Sequence, residues 1–390
     1  MRFSLKGVIP LDRRKNFYDT LNHIQPDDIV MDLGGCPLST MMGNSLYTLM
    51  DYLGFQAPEK PQGGPLRWGQ VERLPEELLN FLDIDTRGVG AVQIPLRSQY
   101  RTVSENEYVD EWGIRRRFTG LYWDIVESPL RGAALEDLEK FDWPEPESMD
   151  MQKLEAEADA AKRLYRETDY VVCADLPVYG IFELGCWMCG FDDFLIKIAL
   201  DEDFVKSFFE IVLDYQKKVI DIYYGALGPY IHYTASGDDF ATQNSLFISR
   251  DMFSRLVKPY FKERIAYTRK YTDAAFLHHT CGSVYRLIDE LIDCGVEILN
   301  PVQPRTADME PERLKEKFGD RVVFHGGLDI QDILPFGSRE TIEAGVKDII
   351  GKLFANGGYI FAAAHNIQED IPPENIVTMF EAARKYGKKK

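Results

Sequence analysis

The chain is poor in the features that would take it out of water. No apolar run approaches the roughly 18 residues of a membrane-spanning helix, so no membrane segment is expected. The opening "MRFSLKGVIPLDRRKNF" has no long apolar core and no small-residue cleavage pattern, so no signal peptide is expected. Cysteine is scarce. Six thiols in 390 residues do not make a disulfide framework and suit a reducing cytoplasm. Positive charge is also short: 45 Lys and Arg face 63 Asp and Glu, a formal net charge of -18. A phosphate backbone needs a basic surface, which argues against a nucleic-acid partner. Low-complexity segments are missing as well.

What is present is enough apolar material for a sizeable core, 45% of residues, of which the aromatics alone make 12% of the chain. From residue 170 onward, short strand-like runs alternate with stretches of helical period. The runs are Tyr170 to Asp175, Tyr230 to Asp239, Ala274 to Cys281, Val296 to Pro301, Val322 to Gly327 and Gly358 to Asn366. Asp201 and Ser249 are placed to cap two of the helices, Gly295 to close a third, and Pro259 to kink one. Two earlier runs, Asp28 to Gly35 and Val89 to Leu96, complete eight βα units. The expected fold is therefore α/β, a single distorted (β/α)8 TIM barrel spanning residues 1–390. An inserted hairpin or loop region is expected at about 97–150.

Such barrels place their chemistry at the C-terminal ends of the strands. Those ends carry Asp32, Asp175, Asp238, Asp239, His279, Cys281, Asn300, His325 and His365. Asp32 and Asn300 could equally cap the loops that follow them. His279 and Cys281, two apart at a strand end, point one way. An imidazole and a thiolate together suit zinc. A catalytic zinc usually takes three protein ligands. Cys294 follows a helix and precedes a strand, which puts it on the opposite face. His365, in "AAAHN" where small residues leave room, is the favoured third ligand, and His325 the second choice. The lone pair Cys186 and Cys189, three apart in an apolar helical stretch, reads as core packing.

Three segments carry a family resemblance: "HHTCGSVYRLIDELIDCGVEILNPVQ", "VVFHGGLDIQDILPFGS" and "AAAHNIQEDIPPENI". Over most of residues 170 to 386 the chain resembles the uroporphyrinogen decarboxylase superfamily, which holds decarboxylases and corrinoid-linked methyltransferases. The resemblance implies a single distorted barrel. Methyltransferases of this family hold zinc with His-x-Cys and a Cys on the last strand. Here His279 and Cys281 match, while His365 stands where that Cys would be, as in the decarboxylases. The arginine-bearing first segment of the decarboxylases is replaced by "VMDLGGCPL", and the tyrosine six residues after their "APWT"-like proline by Glu183. A substrate with many carboxylates would be poorly held. Arg13, Arg14 and Arg115 to Arg117 could bind anions, but a solvated face is the expected use.

The resemblance and the residues together point to a zinc-dependent methyltransferase working with a separate corrinoid protein. The expected reaction is demethylation of a small methoxylated compound. Aromatic side chains (Tyr122, Trp123, Tyr179, Phe182, Trp187) are candidates to line a pocket for it. Glu183, Asp238 and Asp239 are candidates for acid or base work, or, for the two aspartates, for capping. The alternatives are methyl transfer from a methyl-corrinoid to a thiol, porphyrinogen decarboxylation, and tetrapyrrole or corrinoid binding without catalysis.

Overall fold

The computed structural model describes residues 12–59, 73–92, 101–120 and 122–389. Eight strands form one parallel sheet. They are β1 (Val30–Met31), β2 (Thr86–Val89), β7 (Val171–Ala174), β8 (Tyr233–Gly237), β9 (Ala275–His279), β10 (Ile298–Val302), β11 (Val323–Leu328) and β12 (Tyr359–Ala363). The order is β1-β12-β11-β10-β9-β8-β7-β2, with helices between strands, which is a nearly closed (β/α)8 barrel. Four further strands form a separate antiparallel sheet: β3 (Arg101–Ser104), β4 (Glu107–Val109), β5 (Arg115–Phe118) and β6 (Trp123–Glu127). Among the described residues no helix is long and apolar enough to cross a membrane.

Alternation along the strands sorts the side chains. Val30, Val171, Cys173, Tyr233, Ala235, Ala275, Leu277, Ile298, Val323 and Ile360 pack together inside the barrel. Their outward neighbours join the helices in a larger core. Continuing the same period by one step puts Asp32, His279, Asn300 and His325 on the inward face, just above this apolar layer. The helix termini follow local chemistry. Asp201 accepts the N–H of Phe204, Ser249 accepts that of Met252, and Gly295 closes its helix at φ +103°. A π-helical turn, Phe253–Val257, precedes Pro259.

The second strand lies earlier than the apolar run at Val89 to Leu96 suggests, and residues 93–96 of that run fall outside the described residues. The strand carries Arg87, which disguises it. The Arg87 guanidinium turns outward onto Glu76 and Asn80 and lies 3.6 Å from the Tyr170 ring centroid. Arg13 and Arg14 are not on a solvated face either. Arg13 pairs with Asp83 and Asp85, and Arg14 donates to the carbonyls of Leu164, Tyr165 and Tyr170.

Asp85 closes the barrel. Among the described residues no ladder joins β1 to β2. Instead the Asp85 N–H donates to Met31 O at 3.0 Å, and its Oδ2 accepts the Met31 N–H at 2.7 Å. Arg13 and Arg384 neutralise the buried carboxylate. We expect Asp85→Ala to cost about 2–3 kcal/mol, because it leaves the buried Met31 N–H without its acceptor and takes one of two carboxylate partners from Arg13 and from Arg384, which keep Asp83. Urea unfolding would check this, and a loss below about 1 kcal/mol would show that the seam is held by other contacts.

His232, just before β8, gives a second expectation. Its Nδ1 accepts the Val172 N–H at 2.9 Å, and its ring stacks on Tyr165. Burial, with help from the nearby Arg14 charge, pushes its pKa down from 6.5 to about 4. The unfolded chain therefore binds more protons between those values. The stability this ring contributes is complete above about pH 6.5 and is lost as the pH falls toward 4, by about 3 kcal/mol at most. His232→Gln keeps an acceptor for Val172 and is expected to flatten that part of the acid slope in urea titrations.

Candidate functional site

The C-terminal ends of the strands open into a cavity of about 1400 Å³, roofed on one side by β6 of the inserted sheet. His279 and His365 lie on its wall. His279 ends β9 and faces inward by strand period. Cys281 follows two residues on, where Gly282 turns the chain at φ +89°. A side chain at that glycine would meet the carbonyl oxygens of Ala241 and Thr242 at under 3 Å. The turn is pinned by Asp239 Oδ1, which accepts the Cys281 N–H at 2.7 Å, and by Gln303 Oε1, which accepts that of Gly282 at 2.8 Å. His365 sits just beyond β12. The next residue, Asn366, anchors it by accepting the Thr40 N–H at 2.8 Å.

Donor atoms of His279, Cys281 and His365 lie within 4.8 Å of one another. Cys281 Sγ is 3.2 Å from His279 Nε2. Nitrogen and sulfur ligands on one tetrahedral zinc stand roughly 3.5 Å apart, given bonds of about 2.0 and 2.3 Å. Burial pushes both imidazoles down to about 4, so each offers a lone pair at neutral pH. Burial and the Asp239 and Glu183 charges hold the Cys281 thiol well above its usual range, and a bound cation is what would bring it down. The donor set and spacing fit a three-ligand zinc site.

His325, the second choice for the third ligand, stands elsewhere. Both of its ring nitrogens are engaged below the cavity, Nε2 with Asp32 Oδ2 at 2.8 Å and Nδ1 with Asn300 Nδ2 at 2.7 Å. Asn300 Oδ1 in turn lies 2.5 Å from His279 Nδ1. Asp32 and Asn300 are therefore members of a buried polar line that ends on His279, beyond any loop capping. Burial alone would push the Asp32 carboxyl up, but bonds from His325, Ser39 and Thr86 hold it below its ordinary value.

The three carboxyls divide by environment. Asp238 turns its oxygens onto the N–H groups of Phe182 and Glu183, at 3.1 and 2.7 Å, and so caps the helix Ile181–Cys189. Its site is tight, since a Cβ at Gly180 would lie 2.1 Å from its carboxyl carbon. Glu183 and Asp239 line the cavity. Burial, then the Asp239 and Asp238 charges, push the Glu183 carboxyl well above its usual range. Asp239 is also raised by burial, against the opposing bond from Cys281.

Of the expected aromatic lining, Tyr122, Trp123, Tyr179 and Trp187 face the cavity. Phe182 does not. It is fully buried against Phe194, Phe240 and Phe247. Cys186 and Cys189 are buried on one helix, although Cys186 reaches the cavity wall. Arg116 corrects the expectation of a solvated arginine run. Its neighbours Arg115 and Arg117 pair with Glu107 at the partly exposed side of the sheet. Arg116 itself is buried, bonded to Asp110 at 2.9 Å, 5.2 Å from the Trp187 ring centroid, and on the cavity wall. Strand alternation is the signal that separates the three.

Comparison with known proteins agrees with this architecture. The family profile described as uroporphyrinogen decarboxylase (URO-D) matches residues 125–386. The uroporphyrinogen decarboxylase of Wigglesworthia glossinidia brevipalpis is 30% identical over 78 residues, 20% of this chain and 21% of that one. That of Chlorobium luteolum is 24% identical over 148 residues, 36% of this chain and 40% of that one. The matches thus span well under half the length of these relatives. A solved structure titled methyltransferase from Methanosarcina mazei superposes with a TM-score of 0.63 at 15% identity, over 96% of this chain and 98% of that one, a likeness of fold. With the profile covering most of the barrel and the eight-stranded fold in place, the chain belongs to the uroporphyrinogen decarboxylase family.

Proposed function

We propose that the chain is a zinc-dependent methyltransferase. It would remove a methyl group from a small methoxylated compound and pass it to a corrinoid carried by a separate protein. The observation that carries this reading is the convergence of His279, Cys281 and His365 within 4.8 Å. A zinc ion held by these three would supply Lewis acidity at the cavity wall. The chain's own residues supply the rest. Glu183, kept protonated by burial and by Asp239 and Asp238, is the proton donor for the oxygen that loses the methyl group. The carbon–oxygen bond breaks, the oxygen gains that proton, and an alcohol or phenol leaves. Asp239 holds the Cys281 loop in place. Trp123, Tyr179 and Trp187 offer flat apolar surface that suits an aromatic methyl donor.

The names of the curated relatives favour a second reading, porphyrinogen decarboxylation. That reaction needs cations for several substrate carboxylates. Among the described residues, the cavity arginines Arg73, Arg116 and Arg131 already have carboxylate partners in Glu157, Asp110 and Asp192. This weighs toward the methyltransferase.

Metal analysis and a methyl-transfer assay test the proposal, with free reduced cobalamin standing in for the carrier and methoxylated aromatic compounds as donors. Wild type is expected to hold stoichiometric zinc, lost in Cys281→Ala and strongly reduced in His365→Ala. Glu183→Gln is expected to keep its zinc and lose about 10²- to 10⁴-fold in rate. Full zinc in Cys281→Ala, or a zinc-free wild type that decarboxylates a porphyrinogen, would overturn the reading.

A further inference from the structure

Four buried polar side chains form one line around the inside of the barrel: Asp32 after β1, His325 on β11, Asn300 on β10 and His279 on β9. Each link needs one donor and one acceptor, so the sense of the first link sets the rest. The Asp32 carboxylate has only lone pairs to offer. Its Oδ1 already accepts the Thr86 hydroxyl and the Gly35 N–H, and its Oδ2 lies 2.8 Å from His325 Nε2. His325 therefore donates Nε2–H. Its Nδ1 lies 2.7 Å from Asn300 Nδ2, an amide NH2 that can only donate, so Nδ1 accepts. This orients the Asn300 amide, whose Oδ1 accepts from His279 Nδ1 at 2.5 Å. His279 is left with a bare Nε2, the atom 3.2 Å from Cys281 Sγ.

We propose that Asp32 is a positioning residue that sets the tautomer of His279 through His325 and Asn300, so that Nε2 is presented as a lone-pair donor beside Cys281. Metal-binding histidines commonly donate their second N–H to a carboxylate or carbonyl directly. Here the carboxylate acts through an imidazole and an amide, both of which must keep one sense. Its effect on zinc affinity rests on the metal reading above, whereas the tautomer is a property of the metal-free chain and does not.

Asp32→Asn makes the sharpest test because it reverses the line. Oδ1 of the new amide keeps the donors Thr86 and Gly35, and its NH2 group faces His325. His325 must then accept at Nε2 and donate from Nδ1. Asn300 turns its oxygen to His325 and its NH2 to His279, and the His279 proton moves to Nε2. His325→Gln keeps a donor toward Asp32 and an acceptor toward Asn300, and so preserves the original sense.

The measurement is a long-range proton–nitrogen correlation spectrum of the full chain. The protein is treated with chelator and carries isotope-labelled histidine, and His279 is assigned by the signals lost in His279→Gln. The expected result is a proton on Nδ1 in wild type and His325→Gln, and on Nε2 in Asp32→Asn. Zinc competition against a chromophoric chelator is expected to show affinity down about 10–100-fold in Asp32→Asn and near wild type in His325→Gln. A wild-type proton on Nε2, or an Asp32→Asn spectrum with the His279 tautomer unchanged, would overturn the proposal. Should Asp32→Asn fail to fold, the wild-type spectrum decides alone. The expected tautomer in a protein that takes up no zinc would leave the relay standing and end the metal reading.

Discussion

A carboxylate buried at the end of the first barrel strand must be met by donors, and much of the site follows from how Asp32 is met. It is 1% exposed and sits directly above the apolar layer of the barrel. An unpaired charge at that depth would cost several kcal/mol. Its oxygens are satisfied by Thr86 beside it, by Gly35 and Ser39 in its own loop, and by His325 across β12. The β12 residue next to Asp32 is Ala362, by extension of the Met31–Phe361 register. A side chain that stops at Cβ leaves the path open. Satisfying Asp32 thus orders His325, then Asn300, then His279, and the last of these faces the cavity.

Much of this was legible in the sequence, and the limits are physical. Runs of apolar residues at regular spacing revealed seven of the eight strands close to their observed places, because a strand buried on both faces needs apolar side chains on both. The second strand was displaced because Arg87 interrupts it. A guanidinium can occupy an outward strand position when a helix supplies Glu76 and Asn80, and no local pattern announces that. His279, Cys281 and His365 could be grouped because each ends a strand or follows one closely. The roles of Asp32 and Asn300 could not be read, since the Asp32–His325 link joins the first strand to the eleventh and the other two depend on where side-chain atoms meet between neighbouring strands. The barrel expectation already set β9, β10 and β11 side by side, but only atomic distances show that an amide bridges two imidazoles.

The aspartate pair makes the same point at shorter range. Asp238 and Asp239 are adjacent and chemically identical, yet they do different things. The Asp238 side chain turns outward from the barrel onto the helix Ile181–Cys189 and satisfies its first N–H groups. Asp239 turns the other way, holds the Cys281 loop and stays on the cavity wall. The two are linked through Glu183. Its N–H is held by Asp238, and its carboxyl feels both negative charges. A helix cap therefore positions Glu183, and the same carboxylate helps to raise its pKa. The doublet in the sequence could not say which aspartate would do which.

Charge in the cavity weighs on the reaction in a way that the fold cannot. A barrel of this family can serve decarboxylation or methyl transfer, so the fold alone does not choose between them. The arginines Arg73, Arg116 and Arg131 each spend their charge on a protein carboxylate. The groups that remain near the nitrogen–sulfur cluster are Glu183 and Asp239, both acidic. With Glu183 held protonated, the Asp239 charge beside it would oppose an anionic substrate. The neutral imidazoles and the thiol are donor groups, and the Asp239 charge beside them favours a cation over an anion.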